Sequence, residues 1–277
     1  MSKFSFNKAK NIALISAAVV SLPVFMVAPG RATKRQKAPF MGRNIAHRGL
    51  HTRDKKIPEN SLSAFAYAAE SGYGIELDVQ LSRDGQVVVF HDDTLLRVCG
   101  VDKRVDELTF DELRQLRLCG SDETIPLFTE VLNTIHGRGP IICELKNGKR
   151  NRELCQKTYD IISQYHGDIC IESFSPFIVA WFRFHAGDLL RGQLACTKKE
   201  YGNEVSKPIA FLLSNCLFNF ICRPQFIAYK IERKPVLVRL SYLMGAMKVC
   251  WTSHEPANEK GKDCVIFEFY KPRISFK

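Results

Sequence analysis

None of the ten cysteines lies in a CxxC pair, so the spacing of a structural zinc site is absent. Many stand in apolar runs, as Cys143, Cys170 and Cys216 do, where a thiol behaves as a small hydrophobe. Reduced core cysteines are therefore expected ahead of a disulfide framework. No glycine-rich phosphate loop follows the first predicted strand, which argues against a dinucleotide-binding open sheet. A GxSxG elbow is missing, so a serine hydrolase is unsupported. No short repeat stands out, and no basic stripe carries interleaved aromatics, which removes the usual nucleic-acid signature. Residues 1–40 contain no acid at all.

What is present is a chain of 277 residues, 45% hydrophobic, enough for one large domain or two small ones. Lys3, Lys8, Lys10, Arg31, Lys34, Arg35 and Lys37 give residues 1–40 a charge of +7 out of the net +11, leaving +4 for residues 41–277. The charge asymmetry sits beside the apolar run 12–29, "IALISAAVVSLPVFMVAP", and suits a membrane surface better than nucleic acid. Its 18 residues fall between a signal-peptide core and a spanning helix. The expectation is an uncleaved anchor, with a cleaved signal and secretion, or a peripheral helix, as alternatives. Positive charges flank the run on both sides, so orientation is not decided. Residues 1–40 are expected to form this segment plus a basic linker (31–43 reads as linker), and 41–277 the folded domain.

From Asn44 onward predicted strands and helices alternate about eight times, which points to a parallel α/β architecture and, by count and length, a closed (β/α)8 barrel. "ENSLSAFAYAAESGYG" reads as a helix with Asn60 as N-cap and Gly72 as its close. Thr109 and Glu112 form a capping box, "FLLSNCLFNFIC" (211–222) reads as one very apolar helix, and Pro235–Leu243 as at least partly helical. Residues 92–125 are longer and more polar than a normal loop between strand and helix, and are expected to be a small insertion.

Strand side chains alternate faces. In "GIELDVQ" Ile75, Leu77 and Val79 share one face, and Glu76, Asp78 and Gln80 the other. In "IICELK" Glu144 and Lys146 oppose Ile141, Cys143 and Leu145. Unpaired neighbouring carboxylates repel, and a divalent cation relieves this. Glu76, Asp78 and Glu144, without thiolates, suit a hard ion: Mg²⁺, Ca²⁺ or Mn²⁺. The rival reading is ion pairing of Glu76 and Glu144 with Lys146 and Arg48. His47 and His91 each end an apolar strand where a barrel keeps its active site, and suggest an acid/base pair. His51, His136, His166, His185 and His254 read as structural or surface. Arg48 and Lys146 would bind an anion. Metal-assisted acid/base attack on a phosphate ester fits this set best.

The strings "HRG" (47–49), "PENSLSAF" (58–65), "ELDVQLSRDGQVVVFHD" (76–92), "IPLFTEVL" (125–132) and "ELK" (144–146) resemble, in order, the glycerophosphodiester phosphodiesterase family, with "SFSP" (173–176) and "WT" (251–252) as weaker markers. The resemblance implies a TIM barrel with an insertion after the HD motif, hydrolysing glycerophosphodiesters to glycerol 3-phosphate and an alcohol with Ca²⁺ or Mg²⁺. By motif, Glu76, Asp78 and Glu144 look like metal ligands, His47 and His91 the acid/base pair, and Arg48 and Lys146 phosphate-binding positions. Glu59 would support them, as an outer partner or occasional ligand. One histidine would deprotonate a glycerol hydroxyl that attacks phosphorus, the other would protonate the leaving oxygen, and water would open the cyclic phosphate. Direct attack by water stays open, as does which histidine acts first. Ser61 replaces the family's common Thr, and the C-terminal third diverges, so substrate choice is the least defined. Alternatives are action on lysophospholipids, a lyase that stops at the cyclic product, and a non-catalytic barrel that binds membrane or cell-wall components.

Overall fold

The computed structural model describes residues 21–202 and 205–276. Among them nine strands are formed: β1 Arg43–Ala46, β2 Gly74–Leu81, β3 Val87–Val89, β4 Ile141–Leu145, β5 Ile169–Ser173, β6 Arg191–Ala195, β7 Phe226–Lys230, β8 Met247–Ser253 and β9 Cys264–Phe267. Eight of them pair in parallel in the order β1-β9-β8-β7-β6-β5-β4-β2, and β1 also pairs β2, which closes the barrel. β3 lies outside the ring, antiparallel to β2, with Val79 opposite Val89. β1 stops at Ala46, opposite Ile75. The far half of β2 therefore has a free edge, and the Asp84-Gly85 turn folds β3 back onto it. Gly85 supplies the positive φ of 80° that this turn requires.

The alternation read from sequence is the alternation built. Ile75, Leu77, Val79, Ile141, Cys143, Leu145 and Ile171 face outward into a shell with helices Leu62–Glu70, Phe128–Ile135 and Asn151–Ser163. Ile45, Ile142, Cys170, Leu194, Phe226, Val249 and Ile266 fill the barrel interior. Each such aliphatic or aromatic side chain contributes about 1.5–3 kcal/mol by burial. Residues 92–125 carry short helices Leu96–Cys99 and Phe110–Leu113, the latter with the Thr109–Glu112 capping box. They cover a separate small core of Leu95, Val98, Val105, Leu113 and Ile125 against Val88 and Phe90. All ten cysteines are free thiols, eight of them buried.

Several local expectations change. The first long helix is Leu62–Glu70, and its N-cap is Ser61, whose hydroxyl accepts from the Ala64 amide; Asn60 turns away at a φ of 56°. The 211–222 run is not one helix. Helix Lys207–Ser214 ends at Asn215, whose side-chain amide donates to the Phe211 carbonyl, Cys216 takes a φ of 54°, and Asn219–Cys222 forms a separate turn of helix. Residues of the stretch 31–43 make contacts with the barrel. The Gln225 side chain donates to the Arg31 carbonyl, Phe40 is buried in the barrel interior, and the Gly42 amide donates to the Asp263 carbonyl. These contacts lie at the strands' N-terminal ends, opposite the mouth, while fully buried Val27 accepts at its carbonyl from the Asn219 and Ser241 side chains of the outer helices. The expected N-terminal hydrophobic helix lies for the most part outside the described residues. Among those, 21–27 are helical, and no helix is long and apolar enough to cross a membrane.

Candidate active site

β2, β4 and β5 put an acidic side chain on the interior at neighbouring heights: Asp78 is level with Glu144, and Glu144 with Glu172. Glu76, Asp78, Glu144 and Glu172 are all buried. Oxygen atoms of Glu76, Asp78 and Glu144 lie within 4.8 Å of one another, as one shared cation would require. Burial, and then repulsion from Asp78 and Glu144, pushes the Glu76 carboxyl well above its usual range. Burial also raises Glu144, against the pull of Lys146. Asp78 goes the other way: burial is outweighed by Lys146, His91 and Arg48, with a hydrogen bond from Asn60, so it stays ionised. An all-oxygen donor set with strained protonation fits a hard divalent ion.

The cationic side chains are in place. Lys146 Nζ lies 2.8 Å from Glu144 Oε1 and 3.4 Å from Asp78 Oδ1, and Arg48 Nε lies 3.7 Å from Asp78 Oδ2. The rival ion-pair reading thus holds for Glu144 with Lys146. Among the described residues Glu76 has only the Arg48 backbone amide, donating at 2.8 Å to its Oε2. That amide is aimed by the turn after β1, where Arg48 has a φ of 53° and Gly49 one of 78°. A Cβ on Gly49 would meet the Ala64 backbone at 2.8 Å. The HRG glycine is therefore a requirement of helix packing against the turn.

Both predicted histidines are at the mouth, each with Nδ1 against a carboxylate. His47 Nδ1 lies 2.7 Å from Glu268 Oε2, and His91 Nδ1 lies 2.6 Å from Asp92 Oδ1. The carboxylate holds a proton on Nδ1 of each ring and leaves Nε2 for proton transfer. Burial lowers His47 to about 4, although Glu268 pulls it up; the ring is neutral at pH 7. Glu268 itself is held well below the usual carboxylate range, burial being overcome by His47 and His51.

Glu59 stands apart from the three clustered carboxylates. It accepts from Arg48 Nη1 at 2.6 Å and from both Nη atoms of Arg97, while Arg97 Nε donates to Asp92 at 2.6 Å. Burial would raise Glu59, but Arg97 and Arg48 pull it down to about 2. The result is a continuous chain Arg48–Glu59–Arg97–Asp92–His91, which ties the loop after β1 to the end of β3 through the insertion.

Sequence reasoning passed over Asn60, Asp92, Arg97, Glu172 and Glu268. Glu172 obeys the same inward alternation as Glu144, and Glu268 follows β9 directly. His51, read as having no company, lies with Nε2 at 3.6 Å from Glu268 Oε2.

The model of the glycerophosphoryl diester phosphodiesterase family matches residues 47–269. The chain is 33% identical over 150 residues to lysophospholipase D GDPD1 of Rattus norvegicus, a match covering 50% of this chain and 46% of the rat protein. It is 39% identical over 114 residues to a glycerophosphodiester phosphodiesterase of Caldanaerobacter subterraneus, covering 38% and 45%. Each match spans less than half of the relative's length. An Oleispira antarctica phosphodiesterase, solved in complex with the product sn-glycerol-3-phosphate, shares the fold with a TM-score of 0.67 at 23% identity, over 84% of this chain and 94% of that one. A Thermotoga maritima glycerophosphodiester phosphodiesterase gives 0.61 at 26%, over 81% and 93%. With four-fifths of its length matched by one model, the chain belongs to the glycerophosphoryl diester phosphodiesterase family.

Proposed function

We propose that this protein is a divalent-metal-dependent phosphodiesterase that hydrolyses glycerophosphodiesters to glycerol 3-phosphate and an alcohol. The observation that carries the reading is the convergence at one barrel mouth of three clustered carboxylates with two histidines, each held at Nδ1 by its own carboxylate. The named product of the Oleispira protein supports the substrate class.

Glu76, Asp78 and Glu144 would hold the ion, and Mg²⁺ or Ca²⁺, with Mn²⁺ also suited, supplies Lewis-acid charge at the phosphoryl group when bound. Arg48 and Lys146 orient the phosphate. His47, neutral and half-buried, accepts at Nε2 the proton of the glycerol hydroxyl beside the phosphate; the freed oxygen attacks phosphorus. His91, entering the step as the imidazolium with Asp92 at its Nδ1, donates its Nε2 proton to the departing alcohol oxygen and is left neutral. Water then opens the cyclic phosphate with the two roles exchanged. Glu268 and Asp92 hold the rings in the tautomer that this needs. The test is release of glycerol 3-phosphate by the purified full chain from glycerophosphocholine, glycerophosphoethanolamine, glycerophosphoglycerol and a lysophospholipid, after chelation and with each ion added back. No release with any ion overturns the reading. A persistent cyclic phosphate in the ³¹P spectrum makes the protein a lyase instead.

For location, the reading is attachment to a membrane through residues 12–29. Leu22 and Phe25 are exposed, Phe25 lies 6.1 Å from the Phe220 ring with Arg223 over it, and exposed Phe177 lies 6.3 Å from Phe218. Exposed apolar side chains with Arg223 beside them suit an anionic lipid surface. Recovery of the full chain in the soluble fraction of its cells, or cleaved in the medium, would overturn it.

A further inference from the structure

We propose that His47, His51 and Glu268 form a second cation site, selective for zinc-like transition ions, whose occupancy switches the enzyme off. It rests on the reading of His47 as the base. Donor atoms of the three residues lie within 4.8 Å of one another, the only such group among the described residues besides the three carboxylates. The distances to Glu268 Oε2 are 2.7 Å from His47 Nδ1 and 3.6 Å from His51 Nε2. Ligands at about 2.0–2.2 Å from one zinc ion in tetrahedral arrangement stand about 3.3–3.6 Å apart, so a small opening of the His47–Glu268 pair suffices. His51 Nε2 is buried and without a hydrogen-bond partner, a lone pair or proton aimed at a carboxylate but bonded to nothing. Its ring is fixed by the Phe269 edge at 4.9 Å, and Phe269 is itself covered by Arg53 at 4.8 Å.

Two imidazoles and one carboxylate favour Zn²⁺ and its neighbours over Mg²⁺ or Ca²⁺, which want oxygen throughout. The position also lies where the first and last strands, β1 and β9, pair, so the ligands come from opposite ends of the barrel sequence. Binding replaces the proton between His47 Nδ1 and Glu268 Oε2, and that proton leaves to solvent. With zinc on Nδ1, the neutral ring must carry its remaining proton on Nε2. The atom that accepts the substrate proton is then already protonated, and catalysis stops while Glu76, Asp78 and Glu144 remain available to their own ion.

The experiment uses the full chain, His51→Gln and His51→Ala, with buffered free zinc. Zinc binding is measured by competition with a chromophoric chelator, and glycerophosphodiester hydrolysis is measured in saturating Mg²⁺. Wild type should bind one zinc ion at least tenfold more tightly than either variant. It should lose activity as that site fills, regain it with a zinc-selective chelator, and show no relief when Mg²⁺ is raised tenfold. Both variants should keep basal Mg²⁺ activity within about twofold and resist zinc. If His51→Gln, folded by circular dichroism, binds zinc and is inhibited like wild type, the site is refuted. The same holds if Mg²⁺ relieves the inhibition, since zinc then acts at the carboxylates. Absence of any hydrolysis in zinc-free Mg²⁺ buffer defeats the functional reading alone, because the binding measurement still decides the site.

Discussion

Glu172→Gln should make the metal-free protein more stable, although it removes a charge from the candidate active site. Glu172 is 1% exposed, and its Oε2 has no hydrogen-bond partner. Burial, followed by repulsion from Glu144 and Asp78, pushes its carboxyl well above the usual range, and Lys146 offsets this only in part. A carboxyl whose folded pKa is raised binds its proton more tightly in the folded state. Below the ordinary carboxylate range both states are protonated and the group costs nothing. As pH rises above it, the unfolded chain ionises first and stability falls. Glutamine has the shape of the neutral form and does not titrate. The gap between variant and wild type should therefore be near zero at about pH 4 and open toward pH 8. A buried group left in this condition costs on the order of 1–3 kcal/mol. At about 2–4 °C per kcal/mol for a chain of this size, the variant should melt roughly 2–12 °C higher at pH 8 in chelator. Differential scanning calorimetry at the two pH values, with and without Mg²⁺ or Ca²⁺, measures it. Added ion should narrow the gap by neutralising the cluster. A variant that melts at or below wild type at pH 8, or with an equal gap at both pH values, refutes the argument.

Three further expectations follow from the same geometry. His47→Ala and His91→Ala should each lower kcat by about 10²–10⁴-fold with an unchanged far-ultraviolet circular dichroism spectrum; full activity in either removes it from the acid/base pair. Glu268→Gln should lower kcat, because among the described residues Glu268 alone fixes the His47 tautomer. It should also move the acid limb of kcat/KM to lower pH, since Glu268 raises His47 against burial; a limb that moves upward contradicts the assignment. Gly49→Ala should destabilise by about 1–3 kcal/mol, read as a lower urea midpoint. Its Cβ would press on the Ala64 backbone at 2.8 Å, from a φ of 78°; an unchanged midpoint refutes the packing account.

The barrel and its three clustered carboxylates were legible because both are written in short-range grammar. A period of two places Glu76 and Asp78 opposite Ile75, Leu77 and Val79, and the Asp84-Gly85 turn announces that β3 returns along β2. What stayed hidden depends on closure. Glu268 meets His47 across 221 residues of chain, and nothing local to "CVIFEFY" marks one glutamate as a histidine's partner until β9 lies beside β1. Glu172 had the right alternation in "ICIES" but, unlike Glu144 with Lys146, no charged residue two positions on along the same face, so nothing marked it. The missed cap shows the same competition at one position. Asn60 and Ser61 are both good N-caps, and the choice between them is made by Asp78, which takes the Asn60 amide at 2.9 Å and leaves the helix to Ser61. A local propensity was overruled by the need to hold a buried carboxylate ionised. The places where local rules fail here are, in consequence, the places where the site imposes its own chemistry on the chain.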